Sequence, residues 1–232
     1  FQRMAAGLLL AGVPIGLILL QPDLGTVLVY IVVTAMMIMM SNISMRLILL
    51  LVLAAITAIT MIFTSDVLED YQKDRLTVFV LDDEAVAELG ADAVRVAYNA
   101  EQSQIAIGNG GLTGTGLFQG TQTSSNLVPE QQTDFIFSVA GEELGFRGAA
   151  ILLVLFAVVI VRIWRVAVRA SDEFDRLMAV GVMSMFVFQV FQSAGMTMGM
   201  MPVTGIPMPF VSYGGSSMLT SMIAIGLILG VY

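Results

Sequence analysis

The chain of 232 residues contains no cysteine and no histidine. The first absence excludes disulfides and thiolate metal sites. The second leaves a carboxylate, a tyrosine or a lysine as the only general base. Charge is scarce too, at 12% of residues, about half the fraction usual in a soluble domain. Apolar residues fill the space: 57% of the chain is hydrophobic and the mean hydropathy is +0.90. The runs 45–63 and 151–161 are too long and apolar for ordinary core helices. A helical span needs about 20 apolar residues, so the composition implies an all-α, polytopic transmembrane helical bundle. Charged residues interrupt the apolar runs, and the alternation of a membrane β-barrel is missing. The chain starts at Phe1 with no initiator Met and no signal-peptide pattern; it reads as part of a longer protein with helices upstream.

Six spans are expected, at 4–20, 24–40, 45–64, 135–161, 177–199 and 214–232. They group as three helices in 1–64, a large loop in 65–133, and three helices in 134–232 with a Pro/Gly-rich loop at 200–215. Pro14 should kink the first span, where neighbouring helices can re-satisfy the freed backbone groups. Arg3, Arg46, Arg162, Arg165, Arg169 and Arg176 fall on one side, which the positive-inside rule makes cytoplasmic. QPDLGT (21–26), the loop 65–133 and PVTGIPMPF (202–210) then lie outside. Over 65–134, twelve acids oppose three bases, Lys73, Arg75 and Arg95, for a net charge of −9. Residues 82–95 suit a short, solvated surface helix. GNGGLTGTGLFQG (108–120) is too rich in glycine for a regular helix. It matches neither phosphate-binding glycine pattern and reads first as a structural loop.

Acids crowd the start of the fourth span. Glu130 and Asp134 stand just before it, and Glu142 and Glu143 about two turns further in, followed by Arg147. A helix beginning near Thr133 would place Asp134 in its first turn, where the dipole favours an acid; the simplest reading of Thr133 and Asp134 is as caps. Ionisable groups within a span are costly and face a cavity or a partner. Arg147 can meet Glu143 at i, i+4, which leaves Glu142 needing a polar neighbour. Four carboxylates along one helix favour a polar cleft at its outer end. Asp23 suits a cap for the second span. The 17 methionines read as packing filler, or as a groove for a polyprenyl tail between helices.

Five segments, QPDLGT (21–26), YQKDR (71–75), YNAEQSQIAIGNGGLTGTG (98–116), PEQQTDFIFSVAGEELGFRG (129–148) and PVTGIPMPFVSYGGSS (202–217), together resemble the signatures of the SEDS family (shape, elongation, division and sporulation), in the same order. The resemblance spans nearly the whole chain and is more RodA-like than FtsW-like. It implies a ten-helix fold, of which these six spans would be the C-terminal part. It implies a glycosyltransferase that polymerises lipid II at the outer face of the bacterial cytoplasmic membrane, for elongation and cell shape. It also implies a class B penicillin-binding protein as partner, and no nucleic acid. The family's essential loop aspartate falls on Asp134, and Glu130 matches the neighbouring acid.

Such a transfer joins a sugar hydroxyl to an anomeric carbon and releases a lipid pyrophosphate. Asp134 is the candidate base, its pKa raised by low dielectric and by Glu130. Arg75 and Lys73 are candidates to hold the pyrophosphate, although Arg75 could instead pair with Asp70 or Asp74. Gln104, Asn109, Ser212, Ser216 and Ser217 are further candidate contacts, the serines because SYGGSS (212–217) opens the last span with free backbone N–H groups. Pro202, Pro207 and Pro209 force an irregular entry to it. Against so acidic a loop, a divalent cation such as Mg²⁺ or Mn²⁺, shared with the phosphates, is expected to help. A transporter of the lipid-linked precursor is the main alternative, and a non-catalytic scaffold a third reading. Acids at the outer edge suit chemistry there better than transport, which needs a site near the midplane.

Overall fold

The computed structural model describes residues 2–21, 23–41, 45–50, 53, 57, 75–81, 85–86, 89–125 and 127–231, with side chains from Gly7 onward. Its regular elements are helices: α1 (Gln2–Leu19), α2 (Leu24–Met40), α3 (Ala91–Gly110), the single turn α4 (Thr121–Ser124), α5 (Ile136–Arg169), α6 (Glu173–Thr197) and α7 (Gly215–Val231). Residues 45–50 are also helical, at the start of the expected third span. Most of the rest of that span, with Lys73, Asp70, Asp74 and most of 82–88, lies outside the described residues.

Among the described residues, α5 and α6 are long and apolar enough to cross a bilayer, and α1, α2 and α7 are shorter apolar helices. At 1.5 Å per residue, α6 is about 37 Å long, against about 30 Å of hydrocarbon. It is the centre of the bundle: α2, α3, α5 and α7 all pack against it, and α1 packs on α2. Small residues permit the close approaches. Gly181 of α6 meets Met37 and Val33 of α2, and Ala179, Val180 and Phe186 are sealed beneath Ile163 of α5 and Ile228 of α7. Glu173 and Asp175 lie in the first turn of α6, and Arg169 in the last turn of α5. Each has the sign that the helix dipole prefers at that end.

Two elements differ from expectation. The stretch 65–133 contains α3, whose 20 residues include GNG of the glycine-rich segment. A mostly polar helix gives little hydropathy signal, and packing along α5 stabilises it despite its glycines. The fourth helix begins at Ile136 and runs on to Arg169, past the expected 161, because arginines end a hydrophobic run but not a helix.

Candidate active site

The segment before α5 is a compact turn. The N–H groups of Thr133, Asp134 and Phe135 all converge on the Glu130 carbonyl, at 3.2, 3.1 and 3.2 Å. Glu130 adopts a left-handed φ of 53°, a conformation that costs a non-glycine residue about 1–3 kcal/mol and that clusters at functional sites. Phe135 anchors the turn, buried with Ala106 and Val128, against which the partly buried Val203 packs. The turn is then tied to the entry of α7. Ser212, itself buried, donates to the Thr133 carbonyl at 2.6 Å and accepts from Met208 N–H at 2.8 Å. Tyr213 N–H donates to the Gln132 carbonyl at 2.8 Å. The hydroxyl of Ser212 is therefore committed to holding the Asp134 segment in place.

Asp134 is half-buried. A Cβ on Gly205 would stand 3.1 Å from its Oδ2 and 3.5 Å from Arg75 Nη1, so carboxylate, guanidinium and the bare backbone of Gly205 form one cluster. Gly205 has a φ of 75°, which only glycine adopts at no steric cost. Asp134 has its pKa raised above the ordinary 3.8, first by burial. A hydrogen bond with the Thr133 side chain lowers it, Glu130 raises it, Arg75 lowers it and Asp23 raises it, in falling order. Asp23 reaches this field from the N-cap of α2, where it accepts from Thr26 N–H at 3.0 Å and the Thr26 hydroxyl at 2.6 Å. Gly25 packs on Thr204 and Ile206, which brings QPDLGT against PVTGIPMPF. All of this lies at the end of α5 opposite Arg162, Arg165 and Arg169.

Gly205 also lines a cavity of about 460 Å³. Its walls are Val29, Tyr30 and Val33 of α2, with Gln189 of α6 and Ser216, Ser217 and Thr220 of α7. An apolar slot that carries hydroxyls thus runs down from the carboxylate between three helices. Ser216 and Ser217 line it directly, whereas Gln104 lies against Gly199 and Asn109 bonds Thr121 at 3.5 Å. None of the groups that set the Asp134 environment belongs to that second grouping.

The deeper acids have another task. Glu142 is fully buried and accepts from Gln122 N–H at 2.8 Å, Thr123 N–H at 2.9 Å and the Thr121 hydroxyl at 3.3 Å. It caps α4. Gly145, with φ 66° and ψ −171°, breaks α5 one turn later. The glycine-rich segment supplies the lost hydrogen bonds: Thr115 and Gly116 N–H donate to the Glu142 and Glu143 carbonyls at 3.0 and 3.1 Å, and Phe146 and Arg147 N–H donate to Gly111 and Leu112 carbonyls at 2.9 and 3.2 Å. The amides of Thr115 and Gly116 are thus engaged by protein. The expected pairing of Glu143 with Arg147 does not form among the described residues, since the break at Gly145 removes their i, i+4 relation. The sequence reading missed Gly205 and Gln189, although TG in PVTGIPMPF signalled a special backbone.

Fold and site together define a polytopic helical membrane protein with a carboxylate and an arginine at one mouth of the bundle. The chain belongs to the cell cycle protein family of FtsW, RodA and SpoVE, whose model matches residues 2–232. It is 39% identical to the peptidoglycan glycosyltransferase MrdB of Escherichia coli K12, over all of this chain and 60% of that one. It is 40% identical to the peptidoglycan glycosyltransferase RodA of Treponema pallidum, over 71% of this chain and 36% of that one. A Geobacter FtsW stands at 34%, over 97% and 58%, in keeping with the RodA-like leaning. Among solved structures, a chain of a peptidoglycan synthase complex that coordinates polymerization and crosslinking matches with TM-score 0.75 and 30% identity, over 97% of this chain and 60% of that one. The rod shape determining protein RodA of Thermus thermophilus matches with TM-score 0.59 and 29% identity, over 97% and 54%. The chain spans about 60% of the length of MrdB.

Proposed function

We propose that this chain carries the reaction centre of a peptidoglycan glycosyltransferase that polymerises lipid II at the extracytoplasmic face of the bacterial cytoplasmic membrane. The observation that carries the reading is Asp134, a half-buried carboxyl with a raised pKa, held beside Arg75 at the mouth of a slot between membrane helices. A base with a raised pKa transfers protons more effectively near neutral pH. Asp134 takes the proton of the acceptor sugar hydroxyl, whose oxygen attacks the anomeric carbon of the donor. The carbon–oxygen bond to the polyprenyl pyrophosphate breaks, and Arg75 stands where a guanidinium can hold the phosphate oxygens as charge grows on them. The slot lined by Val29, Val33, Ser216 and Ser217 accommodates the lipid-proximal part of a substrate.

A divalent cation belongs to the same proposal. Among the described residues no three carboxylates come together, so Glu130 would share the ion chiefly with substrate phosphates, the usual manner of Mg²⁺, and Asp134 would stay free to act as the base. Polymerisation that continues in chelator removes this part. A class B penicillin-binding protein is the proposed partner, supported by the likeness to a synthase complex. The decisive experiment gives lipid II to the full-length protein with that partner. Asp134→Asn should lower polymer formation by about 10²–10⁴-fold, the usual contribution of a positioned base. Near-normal polymer from the variant would overturn the assignment.

A further inference from the structure

At the end of the bundle away from Asp134 lies a cavity of about 840 Å³ between α5 and α7. Arg162, Arg165 and Arg169 line it, and Val158, Ile225 and Leu229 are among its apolar walls. The spacing i, i+3, i+7 puts the three guanidiniums on one helical face. No carboxylate lies within 4.0 Å of any of them among the described residues. The nearest acids in sequence are Asp172, at the N-cap of α6, and Glu173, in its first turn, which pairs with Arg176 at 3.5 Å. Trp164, the single tryptophan, is partly exposed in the same turn of helix, and tryptophan favours the membrane–water boundary. Three cations with no carboxylate partner among the described residues, over an apolar cleft at that boundary, are complementary to one kind of occupant. It has an anionic head of phosphate oxygens and two acyl chains.

We propose that this cavity binds an anionic phospholipid of the cytoplasmic leaflet, with its phosphate on Arg162, Arg165 and Arg169 and an acyl chain between α5 and α7. Basic pockets between membrane helices on the cytoplasmic side hold such headgroups elsewhere. Guanidinium suits the task because it pairs bidentately with phosphate. The site is separate from glycosyl transfer, and its occupancy does not depend on that reading.

The test uses the full-length protein in mild detergent, with phosphatidylglycerol or phosphatidylcholine added at equal mole fraction. Thermal unfolding and native mass spectrometry are the readouts. Phosphatidylglycerol should raise Tm and leave a retained lipid adduct, and phosphatidylcholine should do neither. In Arg162→Gln/Arg165→Gln/Arg169→Gln both effects should vanish, and in the corresponding triple Lys variant most of each should remain. The single change Arg165→Gln, which keeps the helix and two of the three charges, should weaken retention about fivefold. Equal effects of the two lipids overturn the proposal. So does retention of phosphatidylglycerol by the triple Gln variant, or by Arg165→Gln, at the level of the unmodified protein, as would follow if upstream helices of the full chain fill the cleft.

Discussion

Asp134 is tuned by neighbours of both signs, which makes their removal informative. Glu130 raises its pKa and Arg75 lowers it. A base must be ionised to act, so the rate should rise with pH through a midpoint above the ordinary aspartate value of 3.8. Glu130→Gln should move that midpoint to lower pH, and Arg75→Gln to higher pH with an additional loss of rate. Midpoints that move in the same direction would show that the titrating group is another residue. Linkage gives a second measurement. A carboxyl whose pKa is raised by folding makes the folded state bind more protons than the unfolded state. Its contribution is therefore complete below the unfolded pKa and is lost as pH rises through the folded one. Asp134→Asn removes that loss, so near neutral pH the inactive variant should match or exceed the unmodified protein in Tm. A marked fall in Tm would instead mean that Asp134 serves mainly as a structural cap. The same turn holds Glu130 at positive φ, strain of the kind that sites keep at the expense of stability.

At the scale of elements, the broken helix α5 and the glycine-rich segment are one device. Gly145 opens two N–H groups and two carbonyls, and residues 111–116 close them again. A Cβ on Gly145 would run into the backbone of Thr113 and Gly114, and its φ of 66° with ψ of −171° lies in a region essentially reserved for glycine, costing an L-residue about 1–3 kcal/mol. Gly145→Ala should therefore destabilise the protein by more than about 2 kcal/mol, seen as a lower Tm and weaker hydrogen-exchange protection across 111–124. Glu142→Gln leaves one acceptor oxygen and sets an amide donor against the N–H of either Gln122 or Thr123, and should cost about 1–3 kcal/mol. Its effect should appear first in protection of 121–124; an unchanged exchange pattern would show that α4 does not depend on the carboxylate. The apolar spans of α1, α2, α5, α6 and α7 were legible because their signal is local: long apolar runs bounded by turn residues. Asp134 stood out as an acid at the mouth of such a run. The exchange of hydrogen bonds around Gly145 was not legible, since it joins backbone groups about thirty residues apart and leaves no mark on hydropathy. Glu142 looked like part of a cleft because charge in a span signals function, whereas its partners are backbone amides that a sequence does not display.

At the scale of the whole molecule, one axis organises everything. Asp134, Arg75, Gly205 and Asp23 gather at one end of the bundle, and Arg162, Arg165 and Arg169 line a cavity at the other. The arginines flanking the short turn 170–172 should keep that end in the cytoplasm, which puts the carboxylate on the opposite face of the membrane. These 232 residues contain no cysteine, so once any cysteine elsewhere in the full-length protein is replaced, an introduced thiol reports its own sidedness. Gln132 and Ser171 are both exposed and lie at opposite ends of α5. In cells, Gln132→Cys in the full-length protein should react with a membrane-impermeant maleimide applied from outside. Ser171→Cys should react only after permeabilisation. The reverse pattern would put the carboxylate in the cytoplasm, where no growing wall is within reach, and would favour a role in handling the precursor before it crosses the membrane.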